Sequence, residues 1–140
     1  MKYRVAVLYQ AGAPPPVDGV IKPMKDGGYA DSGADIAYAL QQKAVHIVTP
    51  VDNPNLINDL DWVFPDTTEG IQTAIDRGAN VIWLNTVLYK EHPITSFIEK
   101  GMAIVGQIPG IAELYDDKLV TNELLNRHNL PIPRSIVITS

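Results

Sequence analysis

The amino-acid sequence predicts an α/β domain whose open, mostly parallel sheet carries helices on both faces. Short β-branched apolar runs alternate along the chain with segments of helical periodicity, which is typical of strands connected through covering helices. One run, Val81 to Leu84, is continuously apolar, as expected of a strand buried on both faces. Repeated strand–helix units of this kind imply right-handed crossovers and parallel pairing.

The first two strands and the first helix are predicted from the N-terminal third of the chain. Arg4 to Tyr9 forms a short apolar run that indicates a buried strand. Ser32 is predicted to open a helix, because Asp35 three residues later completes a capping-box pattern. The stripe of this helix that faces the sheet follows a four-residue spacing: Ile36, Leu40 and Ala44. His46 to Thr49 is the second predicted strand, and Pro50 ends it.

The middle of the chain predicts another strand–helix–strand unit. A brief apolar piece at Trp62 to Phe64 precedes a second helix, for which Pro65 to Glu69 supplies capping residues. One face of this helix is apolar: Ile71, Ala74 and Ile75. Gly78 stands where a left-handed residue would end the helix, and the apolar run from Val81 follows as a strand.

The boundaries of the last predicted elements are likewise indicated by proline, glycine and capping residues. Pro93 can occupy the first turn of a third helix, whose apolar positions are Ile94, Phe97 and Ile98, and Gly101 ends that helix. Ala103 to Gly106 is the next predicted strand. Asp116 or Asp117 can cap a final helix that ends near Asn129.

Composition excludes several classes of protein. The 140 residues include 46% hydrophobic and 19% charged residues, which is ordinary for a globular domain that buries its own core. The net charge of −5, without a basic run, argues against binding to nucleic acid or to a membrane surface. Cysteine is absent, so disulfides, thiolate metal sites and cysteine nucleophiles are excluded. A cytoplasmic protein is expected.

Two segments depart from a simple doubly wound domain. Gln10 to Asp31 is a connection of about twenty residues, and loops of that length usually either carry function or move freely. It follows the carboxyl end of the first strand, where open α/β sheets place ligands. Residues 135–140 have a strand pattern with nothing after it. We therefore expect an N-terminal domain over residues 1–133, with 134–140 as the truncated start of a linker or a following domain.

Most standard catalytic motifs are missing from the sequence. There is no Walker A loop, no three-glycine dinucleotide motif and no nucleophile elbow. The histidines have no partner at metal-ligand spacing, so His46 is interpreted as a strand residue, and His92 and His128 as surface or cap residues. Trp62 and Trp83 are interpreted as core residues. No catalytic residue and no metal ligand is assigned.

Lys118 is the candidate anion contact. It falls in the first turn of the last predicted helix, where a cation opposes the helix dipole. A lysine beside free helix N–H groups can bind an anion such as phosphate. The alternative is a solvated lysine paired with the neighbouring aspartates, and the residues alone leave both interpretations open.

The order of these motifs resembles the N-terminal domain of ATP-grasp ligases. The similar features at the end of the chain are a glycine, a variable stretch, Asp117-Lys118, a helix with paired leucines and the exit Leu130-Pro131-Ile132-Pro133. Near the front, Gly27 to Gly33 and then Ala39-Leu40 are similar to D-alanine–D-alanine ligases. The resemblance spans nearly the whole chain and implies a Rossmann-like pre-ATP-grasp domain.

This resemblance implies an activity for the full-length protein. Such ligases use ATP and Mg²⁺ to phosphorylate a carboxylate, and an amine then displaces the phosphate. The resemblance implies that Lys118 binds the nucleotide phosphates and that Asp31 and Ser32 contact substrate. The magnesium-binding acids lie in other domains of these ligases, so this chain alone is expected to be inactive. Leu84 to Tyr89 replaces the His-Gly-rich segment of D-alanine ligases, which leaves the carboxylate and the amine unidentified.

Two other readings of the sequence remain open. The chain could be a standalone α/β module that binds or oligomerises without catalysis, pairing through its last strand as a homo-oligomer. It could also be a Rossmann-like domain that binds a sugar or a nucleotide with its long loop. These alternatives differ in whether the isolated domain binds a ligand unaided.

Overall fold

The computed structural model describes residues 2–136 and 138, and it confirms the α/β class. The strands are β1 (Arg4–Tyr9), β2 (His46–Ile47), β3 (Val63–Pro65), β4 (Val81–Trp83) and β5 (Ala103–Val105). The helices are α1 (Ala30–Gln42), α2 (Thr68–Asp76), α3 (Ile94–Glu99), α4 (Pro109–Asp116) and α5 (Lys118–Arg127). In the part of the chain that the model describes, no helix is long and apolar enough to cross a membrane.

Strand β1 is the centre of a sheet of five parallel strands. On one side it pairs with β4, which pairs in turn with β5. On the other side β2 pairs with the beginning of β1 and β3 with its end, so that Arg4 lies beside His46 and Val7 beside Val63. The middle of β1 is thus bonded on both sides, and Ala6, Val7 and Leu8 are fully buried.

The two faces of the sheet are covered by different helices. Ala6 and Leu8 point to one face, where they pack in a cluster with residues of α2 and α3. Val7 points to the other face and packs with the alanines of α1 and with Trp62. This alternation follows from the two-residue period of a strand and confirms that helices cover both faces.

Helix α1 begins earlier than the sequence predicts. Its first residue is Ala30, and the capping box of Ser32 and Asp35 does not form. The hydroxyl of Ser32 instead donates a hydrogen bond to the carbonyl of Tyr29 (3.1 Å). The buried face of α1 consists of small residues, namely Ala30, Gly33, Ala34 and Ala37, so the helix lies close to the sheet. Of the predicted stripe, Ile36 is half-buried and packs against this cluster, and Leu40 is half-buried, whereas Ala44 is exposed and lies beyond the end of α1.

The boundaries of α2, α3 and α5 agree with the predicted caps. Thr67 caps α2 by accepting a hydrogen bond from the Gly70 N–H (3.1 Å). Gly78 and Gly101 have φ angles of 101° and 93°, in the left-handed region expected after α2 and α3. Asp117 caps α5 through the N–H groups of Leu119 and Val120.

Several predicted boundaries differ from the structure. Helix α4 has no counterpart in the predicted elements, which treat its segment as a variable connection, although Pro109 at its start is a typical first-turn residue. Strand β2 ends at Ile47, two residues before the predicted Thr49. Helix α5 ends at Arg127, near the predicted Asn129, whose φ of 56° is left-handed. Of the predicted strand at 135–140, residues 135, 136 and 138 lie outside any strand. Val137, Thr139 and Ser140 lie outside the described residues.

Gly28 connects the long loop to the end of β1. The N–H of Gln10 donates a hydrogen bond to the Gly28 carbonyl (2.8 Å), so the two backbones lie in contact. Gly28 is buried and has a φ of 56°. A Cβ atom on Gly28 would overlap the carbonyl oxygen of Gln10, whereas one on Gly27 would meet nothing within 4 Å. The close approach therefore requires glycine at position 28.

We predict that Gly28→Ala lowers the free energy of unfolding by about 3 kcal/mol or more, because backbone strain and steric overlap add. Gly27→Ala is the matched control. Alanine at position 27 has the same left-handed backbone strain without the steric overlap, so this variant should lower the free energy of unfolding by about 1 kcal/mol. Urea denaturation followed by circular dichroism measures both. Equal losses in the two variants would contradict the close approach.

Candidate functional site

The candidate site lies at the carboxyl ends of the strands, on either side of β1. The chain leaves β1 for β2 and β3 on one side and later crosses to β4 and β5 on the other. Open α/β sheets bind ligands at such a switch point. Polar residues follow three of these strands: Gln10 after β1, Asp66 after β3, and Asn85 and Thr86 shortly after β4.

The carboxylate of Asp66 binds two separate segments of the chain, one after β1 and one between β4 and α3. One oxygen, Oδ1, accepts a hydrogen bond from the Ala11 N–H (2.9 Å). The other, Oδ2, accepts one from the hydroxyl of Thr86 and lies 3.2 Å from Nε2 of His92. The backbone N–H of Asp66 also donates to the carbonyl of Tyr9 (3.0 Å). Asp66 therefore fixes the residues after β1 and β4 relative to β3.

His92 is a buried member of this network, with 1% of its surface exposed. The prediction of a surface residue is therefore wrong, whereas the alternative of a cap residue agrees with the ring, which accepts a hydrogen bond from the first N–H of α3. Its Nδ1 accepts a hydrogen bond from the Ile94 N–H (3.2 Å), so the proton of the neutral ring lies on Nε2 and is donated to Asp66. Both ring nitrogens have partners, which makes His92 a positioning residue. Sequence reasoning missed the pair because Asp66 is 26 residues away along the chain.

The environment of Asp66 favours the ionised carboxylate. Burial alone raises the pKa of Asp66, but the hydrogen bonds from His92, Thr86 and Ala11 outweigh it and hold the pKa below its ordinary value of 3.8. The site therefore contains a fixed negative charge at neutral pH.

Two cavities share Val87 and Tyr89, in the connection that carries Thr86 and His92. The first, of about 290 Å³, is lined by Gln10, Asp66, Thr67, Thr68, Glu69 and Tyr89 among others. We call it the Gln10 cavity. The second, of about 330 Å³, lies between the long loop and helices α4 and α5, and most of its wall is apolar: Pro14, Pro15, Val17, Leu88, Leu114 and Val120.

The predicted substrate residues lie at the start of α1. Asp31 is exposed and accepts a hydrogen bond from Lys25 (2.6 Å), which lowers the pKa of the Asp31 carboxyl. Ser32 is half-buried, and its hydroxyl oxygen lies 3.5 Å from Nδ2 of Asn85. Ser32 therefore reaches the carboxyl end of β4, whereas the carboxylate of Asp31 pairs with the long loop.

Lys118 is exposed and is the first residue of α5. The predicted free N–H groups beside it are not free, because the Asp117 carboxylate accepts hydrogen bonds from Leu119 (2.8 Å) and Val120 (3.2 Å). A phosphate would therefore find the N–H groups of Leu119 and Val120 occupied, and it would meet mainly the ammonium group. Within residues 2–136, no ion pair involves Lys118, and no hydrogen bond or ion pair connects it with Asp31 or Ser32.

Among the described residues, no group of three or more histidine, aspartate or glutamate side chains is arranged to hold a metal ion. Comparisons with family models, with curated proteins and with solved structures each gave no significant match.

We predict that Asp66 makes the fold acid-sensitive. Because its pKa is lower in the folded chain, the unfolded chain binds the proton more readily, and stability falls as the pH drops from about 5 through the folded pKa. Asp66→Asn should lower the free energy of unfolding by about 2 kcal/mol at neutral pH, because it leaves buried donors without their acceptor. The difference between wild type and variant should shrink as the pH falls.

Urea denaturation at a series of pH values measures this effect. The exposed Asp35 in α1 provides the control, and Asp35→Asn should reproduce the wild-type pH dependence. A constant difference between wild type and Asp66→Asn down to the lowest pH would contradict the assignment.

Proposed function

We propose that the chain forms the N-terminal wall of the active-site cleft in an ATP-dependent carboxylate–amine ligase of the ATP-grasp type. The observation that carries the proposal is the position of Lys118. It is exposed at the start of α5, directly after the capping Asp117, and the chain leaves α5 through Leu130-Pro131-Ile132-Pro133 without regular structure. This is the order of motifs on which the resemblance to these ligases depends.

The local geometry supports Lys118 as a phosphate contact of a particular kind. Because Asp117 occupies the N–H groups of α5, the helix end offers little to an anion. The lysine ammonium is a compact charge with three donors on a flexible stem, and it can follow a phosphate that moves during the reaction. The neighbouring Asp116 is paired with Lys22, which reduces its competition for Lys118.

Ser32 and Asp31 form the substrate side of this proposal. Ser32 lies beside Asn85 at the switch point of the sheet, where ligands of α/β domains bind. Asp31 precedes Ser32 in α1 and forms an exposed ion pair with Lys25. Because an exposed ion pair is weak, Asp31 can exchange it for a contact with the substrate.

ATP supplies the phosphoryl group that activates the carboxylate, and Mg²⁺ offsets the phosphate charge. The residues of this chain bind and orient the reactants, with Lys118 on the phosphates and Ser32 and Asp31 on the substrate. The amine then forms the amide-like bond as phosphate leaves. In this proposal the protein acts in the cytoplasm.

The test is Lys118→Ala in the native gene product that carries this sequence, assayed for ATP-dependent phosphate release with a panel of carboxylates and amines. Loss of a charge-assisted hydrogen bond of about 1.5 to 3 kcal/mol should lower kcat/KM for ATP roughly ten- to a hundredfold. Lys43→Ala, which removes an equally exposed lysine after α1, should leave kcat/KM unchanged.

Wild-type activity in Lys118→Ala would remove Lys118 from the mechanism. The absence of any ATP-dependent phosphate release with wild-type protein across the panel would count against the ligase proposal itself.

A further inference from the structure

Residues 15–24 of the long loop are attached to the rest of the chain by one polar contact. All of them are exposed. Within the part of the chain that the structure describes, no backbone hydrogen bond joins them to another segment, and their one side-chain link is the ion pair between Lys22 and Asp116, the last residue of α4. The flanking residues are fixed, because Pro14 is buried and the carbonyl of Lys25 accepts a backbone hydrogen bond (2.9 Å). The segment is therefore held at its two ends and at a single point between them.

This segment is stiff enough to move as one piece. Pro15 and Pro16 fix their own backbone φ angles. Val17 and Val20 then exchange two backbone hydrogen bonds (3.0 and 2.9 Å) across the turn Asp18-Gly19. Both turn residues have positive φ angles, 50° and 77°, which is the geometry of a tight hairpin. A segment with internal structure and few contacts to its surroundings is the kind that opens locally while the rest of the fold stays intact.

The ion pair of Lys22 and Asp116 lies between two cavities. Both residues line the second cavity, and both also line a neighbouring cavity of about 400 Å³ that reaches Thr86 at the carboxyl end of β4. Val87 and Leu88 border the two cavities as well. Because the same side chains separate the two spaces, breaking the ion pair would join them into one cleft beside α4.

We infer that residues 15–24 form a lid over this cleft and that the ion pair of Lys22 and Asp116 is its latch. The two side chains are 51% and 59% exposed, so water and salt screen the attraction between them. Small changes in ionic strength, or contacts with a bound molecule, can therefore shift the balance between the closed and the open lid. The lid is independent of the ligase proposal, because it concerns only contacts within this chain.

Apolar packing beneath the lid favours the closed state only weakly. On the underside of the lid, Pro15 and Val17 line the second cavity, whose opposite wall includes Leu114 and Val120. A space of about 330 Å³ remains between these walls, so the lid forgoes most of the dispersion contacts that a filled core would provide. The latch is consequently the contact whose removal should change the open population most.

An introduced thiol can report access to the cleft, because the chain has no cysteine of its own. Leu88→Cys places the thiol on the wall that both cavities share, and Val120→Cys provides a second probe on α5. The test measures the rate at which each thiol reacts with dithiodipyridine, an uncharged reagent. The rate is compared at low salt and at about 1 M sodium chloride, where the Debye length is about 3 Å.

Lys22→Ala should raise the reaction rate of either thiol about two- to fivefold at low salt, which is the factor that an exposed ion pair contributes. High salt should raise the rate by a similar factor when the latch is intact and should have no further effect in Lys22→Ala. Exchanging the charges, with Lys22→Asp and Asp116→Lys in one chain, should restore the slow reaction.

Ser96→Cys, at an exposed position of α3, is the control, and its rate should be the same with and without the latch. Equal rates at positions 88 and 120 with and without Lys22→Ala would overturn the inference. So would a charge exchange that leaves the reaction fast. A matching change at position 96 would show general loosening of the fold and would also count against a lid.

Discussion

The carboxylate of Asp66 organises the functional edge of the sheet. Two segments that are far from Asp66 in sequence reach it: the residues after β1 through Ala11, and the connection between β4 and α3 through Thr86 and His92. Each partner contributes a donor, so the buried negative charge is satisfied without a lysine or arginine. The two cavities share Val87 and Tyr89, which belong to the connection that this carboxylate binds through Thr86 and His92.

The long loop is ordered by contacts at both of its ends and in its middle. Backbone contact between Gln10 and Gly28 closes the loop at its base, and Lys22 pairs with Asp116 on α4. Of these, the backbone contact is the more restrictive, because an exposed ion pair contributes little to stability. The apolar second cavity exists because this loop lies across α4 and α5 without filling the space beneath it.

Local chemistry explains what the sequence could predict. The caps at Thr67 and Asp117 and the left-handed glycines Gly78 and Gly101 depend on residues within a few positions, and all were predictable. The start of α1 could not be predicted in this way, because the close approach of this helix to the sheet favours small residues over a conventional cap. Neither the Asp66–His92 pair nor the Lys22–Asp116 pair has a local signature, since both arise only when distant segments meet. The assignments of Lys118, Asp31 and Ser32 to ligand binding stay predictions.

The central position of β1 has a consequence for how the chain folds as it is synthesised. Arg4 pairs with His46, Val7 with Val63 and Val5 with Val81, so every partner of the first strand emerges from the ribosome long after it. Until then β1 is an apolar segment with two open edges, which is the condition that favours aggregation and chaperone capture. Each pairing requires the intervening chain to close a loop first. A sheet whose central strand comes first in the chain is therefore expected to fold slowly.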